Sequence, residues 1–524
     1  MDNRRRNLLL IGGAVCGASL LIFLPALLSS PKMTESFWID WVWLDQFARE
    51  LGGGNLYPRW LPLSHHGLGS PVFYYYPPAA FYLGSAYSLA GLSTYASIVA
   101  TFMTASVFSG IGMYLWLKGW TRSPAAGSML FVIAPYHVLD FYARGALAEA
   151  TAIAVLPFLM LNLRRIIQRE GGIVGTAIAY ACLIGSHLPL ALLASLFLVG
   201  PYLAWHISKE PVRFISAVVA LGLGIVLACI YLVPALTLEP FRDASALWSR
   251  PMFQPSNWTF WNPVFLTGTY LVVLGISTAL AIPCVRLMVT TRSRWATYSL
   301  LCILIAIGSV PFIWDAPLLR SVQFPFRILP LAEFGLATAF SQIAWSPRKL
   351  IETVAPVLIA TGFAVFMRTP PDAVSISQLR SVYPDVPENL PPGNRAYSWP
   401  SIWALQTAKD HPRPEFSHGV TTEPIFFFPA WDVRCGDVFV PTFPARDTGL
   451  LSYRGQHCVR SLGYTNAEKI GARISVFGLL GLLAILAASC LTPFSGRYRL
   501  RRRKRRTVDR VQASSSSGML PPRK

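Results

Sequence analysis

Two aspartates, Asp40 and Asp45, stand just beyond the first long apolar segment, in the run FWIDWVWLDQFARE. An ionised carboxylate at such a position is costly unless it has a partner or a task. Its chemistry would be that of a general base, or of a ligand for a divalent cation such as Mg²⁺ or Mn²⁺ beside a phosphate. Their i, i+5 spacing does not place them on one helix face, so a paired-carboxylate site is not implied. The alternative is that both are solvated residues of the membrane interface.

A second group of charged residues follows at another segment boundary, in YHVLDFYARGALAEA. Arg144 is suited to contact a phosphate, and Glu149 to orient that arginine or an acceptor hydroxyl, with Asp140 beside them. The alternative is an internal ion pair at a helix end. His187, in the run SHLP at the end of a later segment, is suited to proton transfer or phosphate binding. Its alternative is a packed or capping residue.

Two arginines bracket a proline-containing turn in DAPLLRSVQFPFRILPLAEFG. Arg320 and Arg327, with Gln323 between them, predict a clamp for a phosphate or diphosphate, because guanidinium groups bind phosphate oxygens in pairs. The alternative for Arg327 is a side chain that snorkels to the membrane interface. Glu333 follows inside an apolar segment, where an ionisable side chain is a functional candidate by default.

Aromatic residues surround one further arginine, Arg59, in YPRWLP, and the run GSPVFYYYPP follows it. Such a belt is suited to stacking on a sugar ring or to lining a path for lipid, which makes Arg59 a candidate substrate-binding residue. The alternative is a plain interfacial belt. The sequence has no Walker motif, Rossmann fingerprint or HExxH, which argues against an ATP- or NAD-dependent enzyme. No CxxC or His-rich spacing supports a zinc site, and we predict no metal ligands.

The composition is typical of a membrane protein. Of the 524 residues, 53% are hydrophobic and only 13% are charged, whereas a soluble protein carries about 25% charged residues. The formal charge is nevertheless +20, from 45 Lys and Arg against 25 Asp and Glu. This combination allows either a nucleic-acid binder or a polytopic membrane protein with basic cytoplasmic loops. The positions of the charges decide between the two.

Long apolar stretches recur along the chain and predict about twelve transmembrane helices. The predicted spans are 7–29, 94–117, 123–138, 146–163, 172–187, 189–207, 214–237, 264–285, 295–313, 327–346, 350–367 and 474–492. Residues 79–91 are apolar but too short to cross. A span there would turn basic loops outward against the positive-inside rule, so we expect a re-entrant or juxtamembrane helix.

With these spans the excess positive charge falls on the cytoplasmic side, together with both termini. The basic run RYRLRRRKRR of the tail is therefore interpreted as a topology determinant and a partner of anionic lipid, and not as a nucleic-acid site. We expect a multi-pass protein of the bacterial inner membrane, with the bilayer as its first partner. Apart from Glu333, which lies inside a predicted span, the candidate residues lie at the opposite, periplasmic face.

The chain divides into four predicted parts. They are a transmembrane domain at 1–367 with a long first periplasmic loop at 30–93, a periplasmic segment at 368–473, a final span within 474–496, and a basic cytoplasmic tail at 497–524. The periplasmic segment starts with a proline-rich stretch at 369–430, which predicts an extended loop.

The second half of the periplasmic segment, 424–465, alternates short apolar runs with turns and predicts a small antiparallel β-module. Six of the eight cysteines lie in predicted spans, where we expect small apolar packing residues. The other two, Cys435 and Cys458, lie in this module. An oxidising periplasm permits a disulfide between them.

Several runs resemble the GT-C superfamily of membrane glycosyltransferases, which carry a long first outer loop with an acidic residue just after the first span. More specifically, the chain is similar to bacterial membrane proteins named 6-pyruvoyl-tetrahydropterin synthase-related, a name that implies no pterin chemistry here. The matching runs are GNLYPRWLP, GLGSPVFYYYPP, APYHVLDFYARGALAEA, GSHLP and VQFPFRILP, with FFFPAWDVRCG, DTGLLSY and EKIGARISV in and after the β-module.

The resemblance implies an all-α polytopic, GT-C-like membrane protein with a small periplasmic β-rich module near the C-terminus. It implies transfer of a sugar from a polyprenyl-phosphate donor to a glycan or lipid acceptor at the periplasmic face. An acidic residue of the first loop then acts as the base or as a cation-linked carboxylate, which assigns that role to Asp40, or to Asp45. The alternative function is a non-enzymatic transporter or assembly partner for lipid-linked glycans.

Overall fold

The computed structural model describes residues 3–32, 34–207, 210–244, 250–262, 268–344, 346–368, 375–392 and 414–491, and most of them are helical. The α-helices are α1 (Asn3–Leu27), α2 (Phe37–Gly52), α3 (Val72–Tyr75), α4 (Ala79–Leu89), α5 (Thr94–Leu117), α6 (Pro124–Val132), α7 (Pro135–Leu139), α8 (Leu147–Ile167), α9 (Ile173–Ser186), α10 (Leu188–Ala194), α11 (Gly200–Ile207), α12 (Pro211–Thr237), α13 (Gly268–Thr291), α14 (Arg294–Ala306), α15 (Pro317–Arg320), α16 (Leu329–Ser341), α17 (Pro347–Arg368), α18 (Ile376–Val382) and α19 (Asn466–Leu491).

The prediction of a polytopic helical protein is confirmed, but the count of twelve spans is not. Within the described residues, eight helical stretches are long and apolar enough to cross a membrane. They are Leu9–Leu27, Thr94–Leu117, Leu147–Ile167, Leu188–Ile207, Pro211–Thr237, Thr269–Thr291, Leu350–Met367 and Asn466–Ala488. The other four predicted spans fall on shorter helices: the pair α6 and α7, and α9, α14 and α16.

Proline explains one of the four shorter helices. The predicted span 123–138 breaks into α6 and α7 because Pro135 occupies the first turn of α7, and a residue before proline is driven out of the helical conformation. Ala134 is accordingly extended, with φ −61° and ψ 143°. The break turns a single predicted span into two short helices, and the second leads directly into the candidate site.

The predicted first loop is folded rather than extended. Its two main helices, α2 and α4, pack against α5, and aromatic side chains fill the space between them. The ring of Phe47 lies 4.7 Å from that of Phe73, which lies 4.8 Å from Phe81. The apolar segment at 79–91 is the eleven-residue α4, which at about 1.5 Å per residue is too short to cross a bilayer.

The predicted β-module is confirmed and begins earlier than expected, at Glu415. Its strands are β1 (Glu415–Ser417), β2 (Val420–Phe426), β3 (Trp431–Cys435), β4 (Val438–Val440), β5 (Thr442–Pro444), β6 (Leu450–Arg454) and β7 (Val459–Leu462). They form two antiparallel sheets, one in the order β1-β2-β6-β5 and one in the order β4-β3-β7.

Aromatic contacts fasten the module to the first loop. The ring of Trp60 lies 5.3 Å from Trp431, and that of Tyr74 lies 4.4 Å from Phe428. The loop and the module therefore share one end of the helical bundle. Much of the predicted proline-rich stretch, at 369–374 and 393–413, and the predicted tail at 497–524 lie outside the described residues.

The predicted disulfide between Cys435 and Cys458 is confirmed. It joins the end of β3 to the residue before β7, with the two Cα atoms 4.2 Å apart. Because the bond closes a loop with a sequence separation of 23, loop-closure entropy predicts a stabilisation of about 3 kcal/mol.

We expect the double variant Cys435→Ser/Cys458→Ser to lose about that much stability, confined to the β-module. Limited proteolysis of the full chain measures this directly as faster cleavage between residues 414 and 465. Wild-type protein treated with reductant is the matched control and should become equally sensitive. An unchanged cleavage rate in both samples would contradict the prediction.

Candidate functional site

Three interruptions of helical structure meet at the end of the bundle that carries the first loop. A π-helical turn, Asp140–Arg144, precedes α8, His187 separates α9 from α10, and a 3₁₀ turn, Pro325–Ile328, precedes α16. Between the π-turn and α8, Gly145 adopts a left-handed φ of 66°, and a Cβ there would lie 2.3 Å from Thr34 Oγ1. Only a glycine can adopt this φ and pass so close to Thr34.

These interruptions bring six side chains together in what we call the Glu149 cluster. Its members, all buried, are Tyr136, Asp140, Arg144, Glu149, His187 and Arg327. The sequence singled out five of them as candidates, and the structure brings these five together. His187 and Arg327 lie next to helices far along the chain from the other members, so no single stretch of sequence shows that they join the cluster.

Glu149 lies at the centre of the cluster. Its Oε1 accepts a hydrogen bond from the Tyr136 hydroxyl at 2.7 Å, and its Oε2 accepts one from Arg144 Nη1 at 2.7 Å. Arg327 Nε lies 3.4 Å from Oε2, and His187 Nε2 lies 4.0 Å from it. One fully buried carboxylate is therefore surrounded by two guanidinium groups and an imidazole, which offsets the cost of its burial.

Arg144 has three acceptors but does not use all its donors. Its Nη1 donates to Asp140 Oδ1 and to the Tyr136 hydroxyl, each at 2.7 Å, as well as to Glu149. Among the described residues, neither its Nε nor that of Arg327 has a hydrogen-bond partner, although both are buried. Each lies within ion-pair distance of a carboxylate, Arg327 Nε 3.4 Å from Glu149 and Arg144 Nε 3.9 Å from Glu35. Because neither makes a hydrogen bond there, both N–H groups can still donate one to an anion. The predicted alternative, an internal ion pair, is also present.

His187 has the geometry of a capping residue. Its Nδ1 accepts a hydrogen bond from the Leu190 backbone N–H at 3.3 Å, at the start of α10. With Nδ1 acting as an acceptor, the neutral ring carries its proton on Nε2, which faces Glu149. The expected capping role is thus observed, and the ring also completes the cluster.

Asp40 lies beside the cluster and is 2% exposed. Its Oδ2 accepts a hydrogen bond from the Leu147 backbone N–H at 3.0 Å, in the first turn of α8 and two residues before Glu149. Burial raises the pKa of Asp40 to about 8, and the Leu147 N–H opposes that rise. A carboxyl group with its pKa near neutrality can take up and release a proton at physiological pH.

The interpretation of both aspartates as solvated interface residues is wrong, because Asp45 is also buried, at 6% exposure. Its carboxylate accepts hydrogen bonds from the Thr94 hydroxyl at 2.9 Å and the Tyr383 hydroxyl at 2.7 Å, and it pairs with Arg49 at 2.8 Å. It therefore ties α2 to α5 and to the residue after α18. Asp40, whose carboxyl accepts one hydrogen bond within the described residues, is the carboxylate beside the cluster.

The structure does not assemble the predicted arginine clamp. Arg327 Nη1 donates to Gln323 Oε1 at 3.0 Å and belongs to the cluster. Arg320 is exposed and lines a separate cavity of about 550 Å³ with Trp314 and Gln254. The chain does not continue as one helix between the two arginines, because Gln323 adopts a left-handed φ of 68° and a separate 3₁₀ turn starts at Pro325.

Arg59 also lies outside the cluster. It forms a buried ion pair with Glu468 at the start of α19 and stacks on Tyr57, whose ring centre is 4.0 Å from the guanidinium carbon. This contact joins the first loop to the last helix. It gives Arg59 a structural task, and its prediction as a substrate-binding residue has no support from these contacts.

Tyr136 is the cluster member that sequence reasoning missed. The spacing of Tyr136, Asp140 and Arg144, four residues each, was a usable signal, because such residues share a helix face. Glu333, the intramembrane candidate, holds the backbone of this tyrosine in place. Its carboxylate accepts a hydrogen bond from the Tyr136 backbone N–H at 2.7 Å and pairs with His137 Nδ1 at 2.9 Å. Its observed contacts are therefore structural.

The cluster is closed in this conformation. The cavity that touches Asp140 and His137 has a volume of about 20 Å³, which is room for a single water molecule. No three His, Cys, Asp or Glu side chains come together as a metal site within the described residues. Two guanidinium groups already surround the central carboxylate, so this donor set does not fit the Mg²⁺ or Mn²⁺ that the sequence left open.

Among the solved structures with some likeness to the chain are an arabinofuranosyltransferase, ArnT and an oligosaccharyltransferase. Arabinofuranosyltransferase AftD from Mycobacteria is 16% identical with a TM-score of 0.44, and the match covers 72% of this chain and 28% of AftD. ArnT from Cupriavidus metallidurans, solved bound to undecaprenyl phosphate, is 13% identical over 67% of this chain and 63% of ArnT, with a TM-score of 0.42. The Archaeoglobus fulgidus oligosaccharyltransferase is 12% identical over 76% and 64%, also at 0.42.

In these matches the chain covers less than a third of the AftD structure and less than two thirds of the undecaprenyl-phosphate-bound ArnT and the oligosaccharyltransferase structures. No curated protein sequence matches it. A family described as "6-pyruvoyl-tetrahydropterin synthase related domain; membrane protein" matches residues 73–368, a stretch that includes every member of the Glu149 cluster. Because this match covers more than half of the sequence, the chain belongs to the 6-pyruvoyl-tetrahydropterin synthase-related family of membrane proteins.

Proposed function

We propose that this protein transfers a sugar from a polyprenyl-phosphate-linked donor to an acceptor hydroxyl on a glycan or lipid. The reaction would take place at the end of the bundle that carries the first loop and the β-module, the predicted periplasmic face of the bacterial inner membrane. One observation carries the proposal: Asp40 is a buried carboxyl group with a pKa of about 8, and the N–H that it accepts, that of Leu147, lies two residues before Glu149, the carboxylate shared by Arg144 and Arg327.

Asp40 supplies the base. The acceptor oxygen attacks the anomeric carbon of the sugar, the bond from that carbon to the donor phosphate oxygen breaks, and the hydroxyl proton passes to the Asp40 carboxylate. The Leu147 N–H holds Oδ2 at 3.0 Å and thereby fixes the direction of the carboxyl group. A positioned base of this kind contributes about 10²- to 10⁴-fold to the rate.

Arg144 and Arg327 hold the phosphate. Their buried Nε groups have no hydrogen-bond partner among the described residues, and a leaving phosphate supplies acceptor oxygens for both. The helix starts of α8 and α16 lie next to these arginines and add partial positive charge. Charge that develops on the departing phosphate is then stabilised by groups already in place.

Glu149 and Tyr136 keep the arginines in position. Without Glu149, two guanidinium groups would repel each other in a buried space, so its task is to orient them rather than to react. A lipid-phosphate donor also accounts for a sequence without a nucleotide-binding motif. Because the cluster is closed, donor binding requires a movement that opens it. The half-buried Tyr76 is a candidate for this movement, since it interacts electrostatically with both Asp40 and Arg327.

Purified full-length protein is expected to move a radiolabelled sugar from a synthetic polyprenyl-phosphate donor onto an acceptor hydroxyl. The measurement is chromatographic separation of glycosylated product from donor, with a panel of lipid and glycan acceptors and a donor-free control. A parallel liposome assay follows labelled donor across the bilayer. Donor that crosses the bilayer without any new glycosidic bond would contradict the proposal and favour a transporter.

A further inference from the structure

A second large cavity lies at the opposite end of the bundle from the Glu149 cluster. It has a volume of about 560 Å³. Helix α8 connects the two places, with Glu149 in its first turn and Arg164 in its last. At 1.5 Å per residue, these two side chains are about 22 Å apart along the helix axis. Trp116 of α5 and Gln342, just after α16, also line this cavity.

Aromatic side chains form much of the wall. They are Trp116, Trp120, Tyr202, Trp205 and Trp295. The ring of Trp116 lies 5.2 Å from Trp120 and 5.9 Å from Trp295, so the rings brace one another. Tryptophan and tyrosine concentrate at the depth of lipid headgroups. The cavity lies where four candidate spans end, at Leu117, Ile167, Ile207 and Thr291, and its lining is that of a headgroup site.

Three arginines supply the charge, Arg164, Arg292 and Arg294, and none of the residues that line the cavity is an Asp or Glu. Arg164 lies over Trp116 at 5.1 Å, and among the described residues its buried Nε has no hydrogen-bond partner. Arg292 adopts a left-handed φ of 50°, at a helix end where Gly or Asn is usual. Arg294 lies over Trp205 at 4.8 Å.

An ordinary explanation covers part of this arrangement. Arginine at the C-terminal end of a helix interacts favourably with the helix dipole, and Arg164 stands at such an end in α8. The helix dipole does not explain the open volume, the aromatic walls or the buried Arg164 Nε, which has no hydrogen-bond partner among the described residues. The aromatic walls alone would suit a cationic ligand, but three guanidinium groups would repel it. The combination fits an anion that carries a bulky group.

We propose that this cavity binds the headgroup of an anionic phospholipid. Arg292 and Arg294 would receive the phosphate, the unused Nε of Arg164 would donate to a headgroup oxygen, and the rings of Trp205 and Trp295 would pack against the glycerol part. Basic pockets between transmembrane helices bind such headgroups elsewhere. This proposal stands apart from sugar transfer, because no residue of the Glu149 cluster takes part.

The test compares phospholipid binding to wild-type protein and to Arg292→Gln/Arg294→Gln. Full-length protein, freed of lipid in detergent, is titrated with phosphatidylglycerol and, separately, with phosphatidylcholine, and bound lipid is counted by native mass spectrometry. Arg122→Gln/Arg165→Gln is the matched control, because both arginines are exposed at the same end and neither lines the cavity. Thermal unfolding of each variant establishes that it is folded.

We expect wild type to retain phosphatidylglycerol over phosphatidylcholine, the first variant to bind it at least tenfold more weakly, and the control to bind within about twofold of wild type. Equal binding by all three proteins, or an equal loss in the control, would overturn the proposal. Inorganic phosphate at millimolar concentration separates the two sources of the anion. Retention of the lipid supports a headgroup site, and displacement would assign the cavity to a soluble phosphate instead.

Discussion

Replacing Glu149 with Gln is expected to destabilise the protein by about 3–5 kcal/mol. The substitution preserves the size of the side chain and its contact with the Tyr136 hydroxyl, but it removes the negative charge between Arg144 and Arg327. Asp140 then remains as the closest partner of Arg144, and Arg327 keeps neutral acceptors only. Two guanidinium groups in a buried space without their shared carboxylate account for the loss.

Thermal unfolding in one detergent at one pH measures this effect. Glu210→Gln is the matched control, because Glu210 pairs with Arg169 at 2.9 Å on the surface, where ion pairs contribute about 0–1 kcal/mol. We expect a large fall in Tm for the Glu149 variant and almost none for the control. If the two variants unfold within a degree of each other, Glu149 does not hold the cluster together.

Replacing Asp40 with Asn is expected to have the opposite effect on stability and a severe effect on turnover. The amide keeps the shape of the side chain but cannot accept the proton of the acceptor hydroxyl, and we expect turnover to fall by about 10²- to 10⁴-fold. The fold should gain stability, because an ionised carboxylate is costly where Asp40 is buried. A loss of activity with a rise in Tm cannot be attributed to misfolding.

The pH dependence of that gain follows from the pKa of Asp40, which burial raises from 3.8 to about 8. The folded protein binds the proton more tightly than the unfolded chain, so the stability that protonation contributes is complete below pH 3.8. It is lost as the pH rises towards 8, by about 1.4 kcal/mol per pH unit. The advantage of the Asn variant in Tm should therefore be absent near pH 4 and grow until about pH 8.

The sequence predicted the bundle well wherever twenty or so apolar residues run without interruption. The predicted span at 94–117 coincides with α5, whose start is set by the Ser93 side chain accepting from the Ala96 N–H at 3.2 Å. Predicted spans failed at breaks, as at Pro135, because total hydrophobicity does not reveal where a helix divides. The paired Cys435 and Cys458 were predictable because the other cysteines lie in apolar segments.

The candidate site was predictable only in part. Asp140, Arg144 and Glu149 are close along the chain, so their meeting follows from local helix geometry. The arrival of His187 and Arg327 depends on how helices pack, which spacing does not encode. Asp45 illustrates the same limit, since its partner Tyr383 is 338 residues away along the chain. Without that partner in view, Asp45 and Asp40 were indistinguishable as candidates.

The pH dependence of turnover, measured for wild type and Asp40→Asn with one donor and one acceptor, tests the central claim most directly. If Asp40 is the base, wild-type kcat/KM should rise about tenfold per pH unit and level off near pH 8, the pKa of Asp40. The Asn variant should be lower throughout and show no such rise. Parallel profiles of similar height for the two proteins would contradict the assignment of Asp40 as the base.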